Sequence, residues 1–176
     1  MADVPDNLVL KRHRDLEGLY RRGIYVRRTI LSVIAVFCLL GLANVFGQAA
    51  STSRAGFGAG TLSISSASKL RGGDLTSATF TITATKAIRN AVLVLDPGWA
   101  RGMAINTIEP SPTNETSENG RLAFTLGPIG AGRSFTLFMQ FQVNPTTVTW
   151  QRPQDVQLRD GSIVLATIHR TLTVYP

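Results

Sequence analysis

The chain has 176 residues, 44% of them hydrophobic and 16% charged, and a formal net charge of +7. One cysteine excludes an internal disulfide, and two histidines without clustered carboxylates exclude the usual metal-ligand sets. The charge does not mark a nucleic-acid binder. Seven basic and four acidic residues lie in the first 28, and the other eleven basic and seven acidic residues are scattered, with no Lys/Arg patch interleaved with aromatics.

Residues 1–28 read as a basic cytoplasmic tail, partly helical. Leu8, Leu10, Leu16, Leu19, Tyr20, Ile24 and Tyr25 recur at helical intervals, and Asp6 is placed to cap a helix start. Tyr20, Arg21, Arg22, Tyr25, Arg27 and Arg28 are expected at the membrane interface. Aromatic rings with a polar tip favour that level, and each arginine gains on the order of 1 kcal/mol against anionic headgroups. A helix lying on the bilayer and a helix docking on a partner membrane protein fit this pattern equally.

Residues 29–48 are predicted to form one transmembrane helix. No Asp, Glu, Lys or Arg occurs between Arg28 and Arg54, and Thr29–Gly47 is almost wholly apolar. A hydrocarbon core of about 30 Å needs roughly 20 such residues. The excess of basic residues before the span orients the N-terminus to the cytoplasm. Gly47 and Ala49 suit a signal-peptidase site, and Arg27-Arg28 resembles a twin-arginine signal. The long leading segment and long apolar run favour an uncleaved signal-anchor instead. Cys38 lies inside the span and reads as a small apolar filler. Ala43 and Gly47 have the small-xxx-small spacing of close helix contacts.

Residues 49–60 are rich in Gly, Ala and Ser, which predicts a flexible linker. From Thr61 the period changes to two, and residues 61–176 are expected to form an all-β extracytoplasmic domain. Strands are predicted at Thr61–Ser66, Thr76–Thr85, Asn90–Leu95, Met103–Ile108, Arg121–Leu126, Ser134–Val143 and Ser162–Val174. About seven short strands with turn signals between them and no helix define an antiparallel β-sandwich of Ig-like type. Pro110–Asn119 reads as a polar loop carrying the sequon Asn114-Glu115-Thr116, and Trp150–Asp160 as a lengthened connection.

The segment from Ala78 to Val143 resembles the Ig-like modules of bacterial surface proteins, including CARDB-type adhesion modules. The likeness rests on Leu126, Gly127, Ile129 and Gly132, followed directly by the strand at Ser134. It implies a sandwich whose glycine turn joins neighbouring strands, in a bacterial envelope protein. It implies no shared chemistry.

No catalytic constellation is evident. A triad on His169 would need that residue to meet Asp155, Asp160 or Asp96 and an activated serine, and no nucleophile elbow is present. Gly127, Gly130 and Gly132 lie between strands with no helix following, so they read as turn glycines and not a phosphate loop. No cofactor is expected. Trp99 beside Arg101, and Trp150 beside Arg152, have the composition of exposed partner-binding hot spots. The alternative is that both rings cap the ends of the sandwich.

The expectation is a non-enzymatic, single-pass protein of the bacterial plasma membrane. Its β domain would act as an accessory or scaffold subunit with a protein partner, and not with nucleic acid. The alternative is an envelope module for glycan or lipid, secreted if the chain is cleaved near Ala49.

Overall fold

The apolar run is helical over a longer stretch than its composition predicts. A computed structural model describes residues 10–43 and 48–176, with side chains from Arg22 onward. In it α1 spans Leu10–Leu42, 33 residues, or about 50 Å at 1.5 Å per residue. Within α1, Arg22–Leu42 is 21 residues with a mean hydropathy of 1.8, long and apolar enough to cross a membrane. Tail and span are therefore one element, because no proline interrupts them. Val26, Ile30, Val33, Ile34 and Phe37 are all exposed, as in a helix with no protein core of its own. Arg22, Tyr25, Arg27 and Arg28 are exposed too. Asp6 and Gly47, and the side chains of Tyr20 and Arg21, lie outside the described residues.

The second unit is a β domain, with thirteen strands among the described residues. They are β1 (Ala50–Phe57), β2 (Gly60–Ala67), β3 (Lys69–Arg71), β4 (Leu75–Ala84), β5 (Ile88–Leu95), β6 (Met103–Glu109) and β7 (Asn114–Glu118). β8 (Arg121–Ile129), β9 (Ser134–Val143), β10 (Thr149–Pro153), β11 (Val156–Asp160), β12 (Ile163–Ile168) and β13 (Thr171–Tyr175) follow. Two five-stranded antiparallel sheets, in the orders β1-β2-β4-β9-β6 and β12-β11-β5-β8-β7, form the sandwich. A three-stranded sheet, β10-β13-β3, includes a parallel β13–β3 pair.

The core follows from strict alternation. β4 buries Ala78, Phe80, Ile82 and Ala84, and β9 buries Leu137, Met139, Phe141 and Val143. Ile88, Leu93, Leu95, Phe124 and Leu158 meet them from the facing sheet. Each large side chain so buried contributes roughly 1.5–3 kcal/mol. A smaller cluster of Ala67, Leu70, Val143, Leu172 and Val174 lies beneath the three-stranded sheet.

Register defines two ends. Ala50 pairs with Ala67, Leu75 with Gln142, Met103 with Val143, and Val156 with both Leu95 and Ile168. All of these lie at the end where the chain arrives from residue 49, the proximal end. The three-stranded sheet caps that end.

Four expectations are corrected. Ala50–Phe57 is not a linker but strand β1, fully paired with β2. Its first residues are small, polar and exposed, and only toward its end do Ala55 and Phe57 turn partly inward; Arg170 holds the strand from one side. That side chain, 7% exposed, donates from Nη1 to Ser51 O and Ile64 O at 3.3 and 3.5 Å, and from Nη2 to Ser51 Oγ and Ser66 O at 3.2 and 2.9 Å. The polar loop Pro110–Asn119 contains edge strand β7, exposed along its whole length and so without a buried face to betray it. The connection Trp150–Asp160 holds most of β10 and all of β11. Ser162–Val174 is two strands, not one, because the chain breaks at His169-Arg170 and changes sheet: Ile168 pairs with Val156, Leu172 with Arg152.

Candidate functional site

The two long sides of the sandwich differ. On one, β1 lies against β12. On the other, β6 ends one sheet and β7 the other, and a cleft of about 580 Å³ opens between them. Ile105, Ile108, Leu122 and Phe124 line it with apolar surface, while Thr107, Glu115, Thr116 and Ser117 line it with polar groups.

A register irregularity builds that lining. Residues three apart in a regular strand point to opposite faces, yet Ile105 pairs with Phe141 and Ile108 with Met139, both core residues of β9. A shift between Ile105 and Thr107 restores the phase, as one extra residue in a β-bulge does. Both isoleucines thereby reach the same side. Sequence reasoning by period two overlooks the cleft, and the only signal was this odd spacing of two isoleucines in a strand-like segment.

Trp99, Arg101, Trp150, Arg152 and His169, singled out in the sequence, gather at the proximal end, with different fates. Trp99 is only 2% exposed and is no surface hot spot. Pro97–Trp99 is a 3-10 turn that folds the ring inward, 5.3 Å from Phe80 and 5.6 Å from Phe141 between centroids. Its Nε1 donates to Gln154 O at 3.2 Å, and Gly98 permits the turn, since a Cβ there would sit 1.9 Å from Pro153 O. Here the capping alternative holds.

Trp150 does the reverse. It is 71% exposed and meets Tyr175 edge-on, at 6.4 Å and 78°. The register of β10 shifts between Thr149 and Arg152, and Gln151 there has φ of +47°. Val148 beside it is exposed as well.

Arg101 is exposed and Arg152 half-buried. Burial first, and then the charge of Arg101, lowers the Arg152 pKa. Among the described residues Nε and Nη2 of Arg152 have no hydrogen-bond acceptor.

His169 does meet Asp155, Nδ1 to Oδ2 at 2.7 Å, while Asp155 Oδ1 accepts the Arg170 N–H at 3.1 Å. Among the described residues no serine hydroxyl bonds to His169, so the pair braces the β12–β13 break. Gly127 lies within β8 at a register shift, with φ of +82°, and is a bulge glycine. Gly132 does sit in a turn, but that turn carries the chain from one sheet to the other. Among the described residues no three His, Cys, Asp or Glu side chains are grouped to hold a metal.

No protein-family profile and no curated protein matches the chain. Among solved structures it is similar to AvmM, which catalyses macrocyclization in alchivemycin A biosynthesis. That likeness has a TM-score of 0.42 and 9% identity over 74% of this chain and 92% of AvmM. The sporulation control protein Spo0M of Bacillus subtilis is similar with a TM-score of 0.34 and 16% identity, over 73% of this chain and 50% of Spo0M. Likenesses this distant carry no functional argument.

Proposed function

We propose that this chain is a single-pass, membrane-anchored interaction protein without catalytic activity, an accessory or scaffold subunit of a complex at the bacterial plasma membrane. The N-terminal tail faces the cytoplasm and the β domain the outer side, an orientation that rests on the excess of basic residues before the apolar span. The observation that carries the reading is the β6/β7 cleft, lined by apolar and polar side chains together, between two sheet edges that no strand among the described residues covers. Unpaired edges offer backbone donors and acceptors to an incoming strand, and apolar pockets between them select its side chains. The occupant that fits is an extended segment of a partner protein. The resemblance of residues 78–143 to Ig-like surface modules points the same way, as those modules are scaffolds for binding.

Affinity purification of the full chain in mild detergent tests this. A defined partner should co-purify with the native chain and be lost with Ile108→Glu, while the variant keeps its β-type circular dichroism. No stable partner, or equal retention by the variant, would overturn the proposal.

A second reading takes the same apolar lining as the floor of a lipid or glycan site. Native mass spectrometry of the purified chain separates the two. A bound small molecule that Ile108→Glu abolishes would favour this second reading.

A further inference from the structure

The proximal end carries an apolar and basic surface that the partner cleft does not use. The outer face of the three-stranded sheet is defined by its register: Leu70, Leu172 and Val174 point into the small core, so Lys69, Arg71, Thr173 and Tyr175 point away from it. Arg71 pairs with Tyr175 across the parallel β3–β13 ladder, and Trp150 meets the Tyr175 ring. Trp150 at 71% and Val148 at 64% are among the most exposed large apolar side chains of the β domain. Asp74 Oδ2 accepts the Arg71 backbone N–H at 2.7 Å. An indole, a phenol ring and a valine beside lysine and arginine form the composition of a membrane–water interface, where amphipathic rings settle at headgroup level and basic side chains meet phosphate.

The chain's path selects the occupant. The strand that begins the domain starts at Ala50, opposite Ala67, and β3 follows two residues after Ala67. Seven residues, 43–49, separate the end of α1 from the start of β1. At about 3.5 Å per residue such a tether reaches less than roughly 30 Å even when fully extended. The end of the domain richest in exposed Trp and Val is thus the end tied most closely to the apolar segment.

We propose that the outer face of β10-β13-β3 is a bilayer-contacting face: Val148, Trp150 and Tyr175 enter the interface and Arg71 pairs with anionic lipid phosphates. This rests on the membrane-anchored part of the proposed function and is independent of the cleft.

The two tryptophans make the test direct, because Trp99 is buried and Trp150 exposed. The full chain is placed in nanodiscs of phosphatidylcholine with or without phosphatidylglycerol, some carrying lipids spin-labelled near the headgroup. The expected result is that the spin label quenches Trp150 emission while aqueous iodide does not. Trp150→Phe should remove the quenchable component and leave the Trp99 emission. Arg71→Gln should lower the lipid-contacting fraction in anionic discs roughly fivefold. Emission that iodide quenches as fully in nanodiscs as in detergent would overturn the proposal. So would a Trp150 shielded from both quenchers, which would mean that protein covers the face. A parallel flotation after alkaline carbonate washing separates the two readings. A chain that floats with an unquenched Trp150 sinks this inference alone, and a chain that does not float sinks the anchoring as well.

Discussion

The two long sides of the sandwich solve the edge-strand problem in opposite ways. On one side β1 is drawn against β12 and fastened through Arg170, whose guanidinium meets oxygens of Ser51, Ile64 and Ser66. On the other side β6 and β7 stand apart over a cleft of mixed apolar and polar lining. A side chain that is polar at its tip closes the first side, and isoleucines help keep the second available. The difference teaches that hydrophobicity along a strand is a poor guide to which edge is sealed. What decides is whether buried polar groups find partners.

Substitutions can break this comparison or sharpen it. Trp99 sits between the sheets and belongs to neither side, so it sets the scale. Trp99→Ala should lower the unfolding free energy by about 4 kcal/mol in a urea melt, through lost ring contacts and the cavity left behind. Arg170→Ala should cost about 3 kcal/mol, because Ser66 and Ile64 carbonyls lose a charged donor in a buried setting. Hydrogen exchange should then show β1 and β12 losing protection before β4 and β9. Arg170→Lys keeps the charge but not the forked reach, and should recover only part of that loss. If Arg170→Ala left β1 fully protected, the closed side would owe its closure to something else.

On the open side the effects shrink. Ile108 is half-buried, and Ile108→Ala should cost about 1 kcal/mol of stability from lost apolar burial. Its larger effect is expected on partner retention. Thr116→Lys, on a strand exposed along its whole length, should change the melt by less than about 0.5 kcal/mol. A large destabilisation there would mean that β7 is part of the fold's support and not a free edge.

The sequence was most legible where one face is wet and the other buried. Ser134–Val143 was predicted with the bounds it has, since Leu137, Met139, Phe141 and Val143 alternate without a fault. The apolar span was legible from length alone, although its helix begins well before the predicted boundary because nothing in the basic tail breaks it. Legibility failed at edges. β7 buries nothing and so cannot alternate, and β1 buries its residues only in part and has the small, polar composition of a linker. It failed again at irregularities, where the bulge in β6 gave Ile105 and Ile108 the wrong spacing for a shared face. The two tryptophans looked alike in sequence, each in a loop beside an arginine. Gly98 and the turn it permits send one inward, while the register shift in β10 sends the other out. Such differences depend on contacts between residues some fifty positions apart, as in Trp99 Nε1 to Gln154 O.

The pairing of β1 has a mechanical consequence. A pull on the chain at Ala50, directed out of the proximal end, runs along the strand and against a register that extends from Ala50–Ala67 to Phe57–Gly60. That geometry is shear, in which the rungs of the ladder resist together, and not peeling, in which they fail one after another. Arg170 grips Ser51 beside the point where the tension arrives. The segment with the composition of a slack tether is thus built as a clamp.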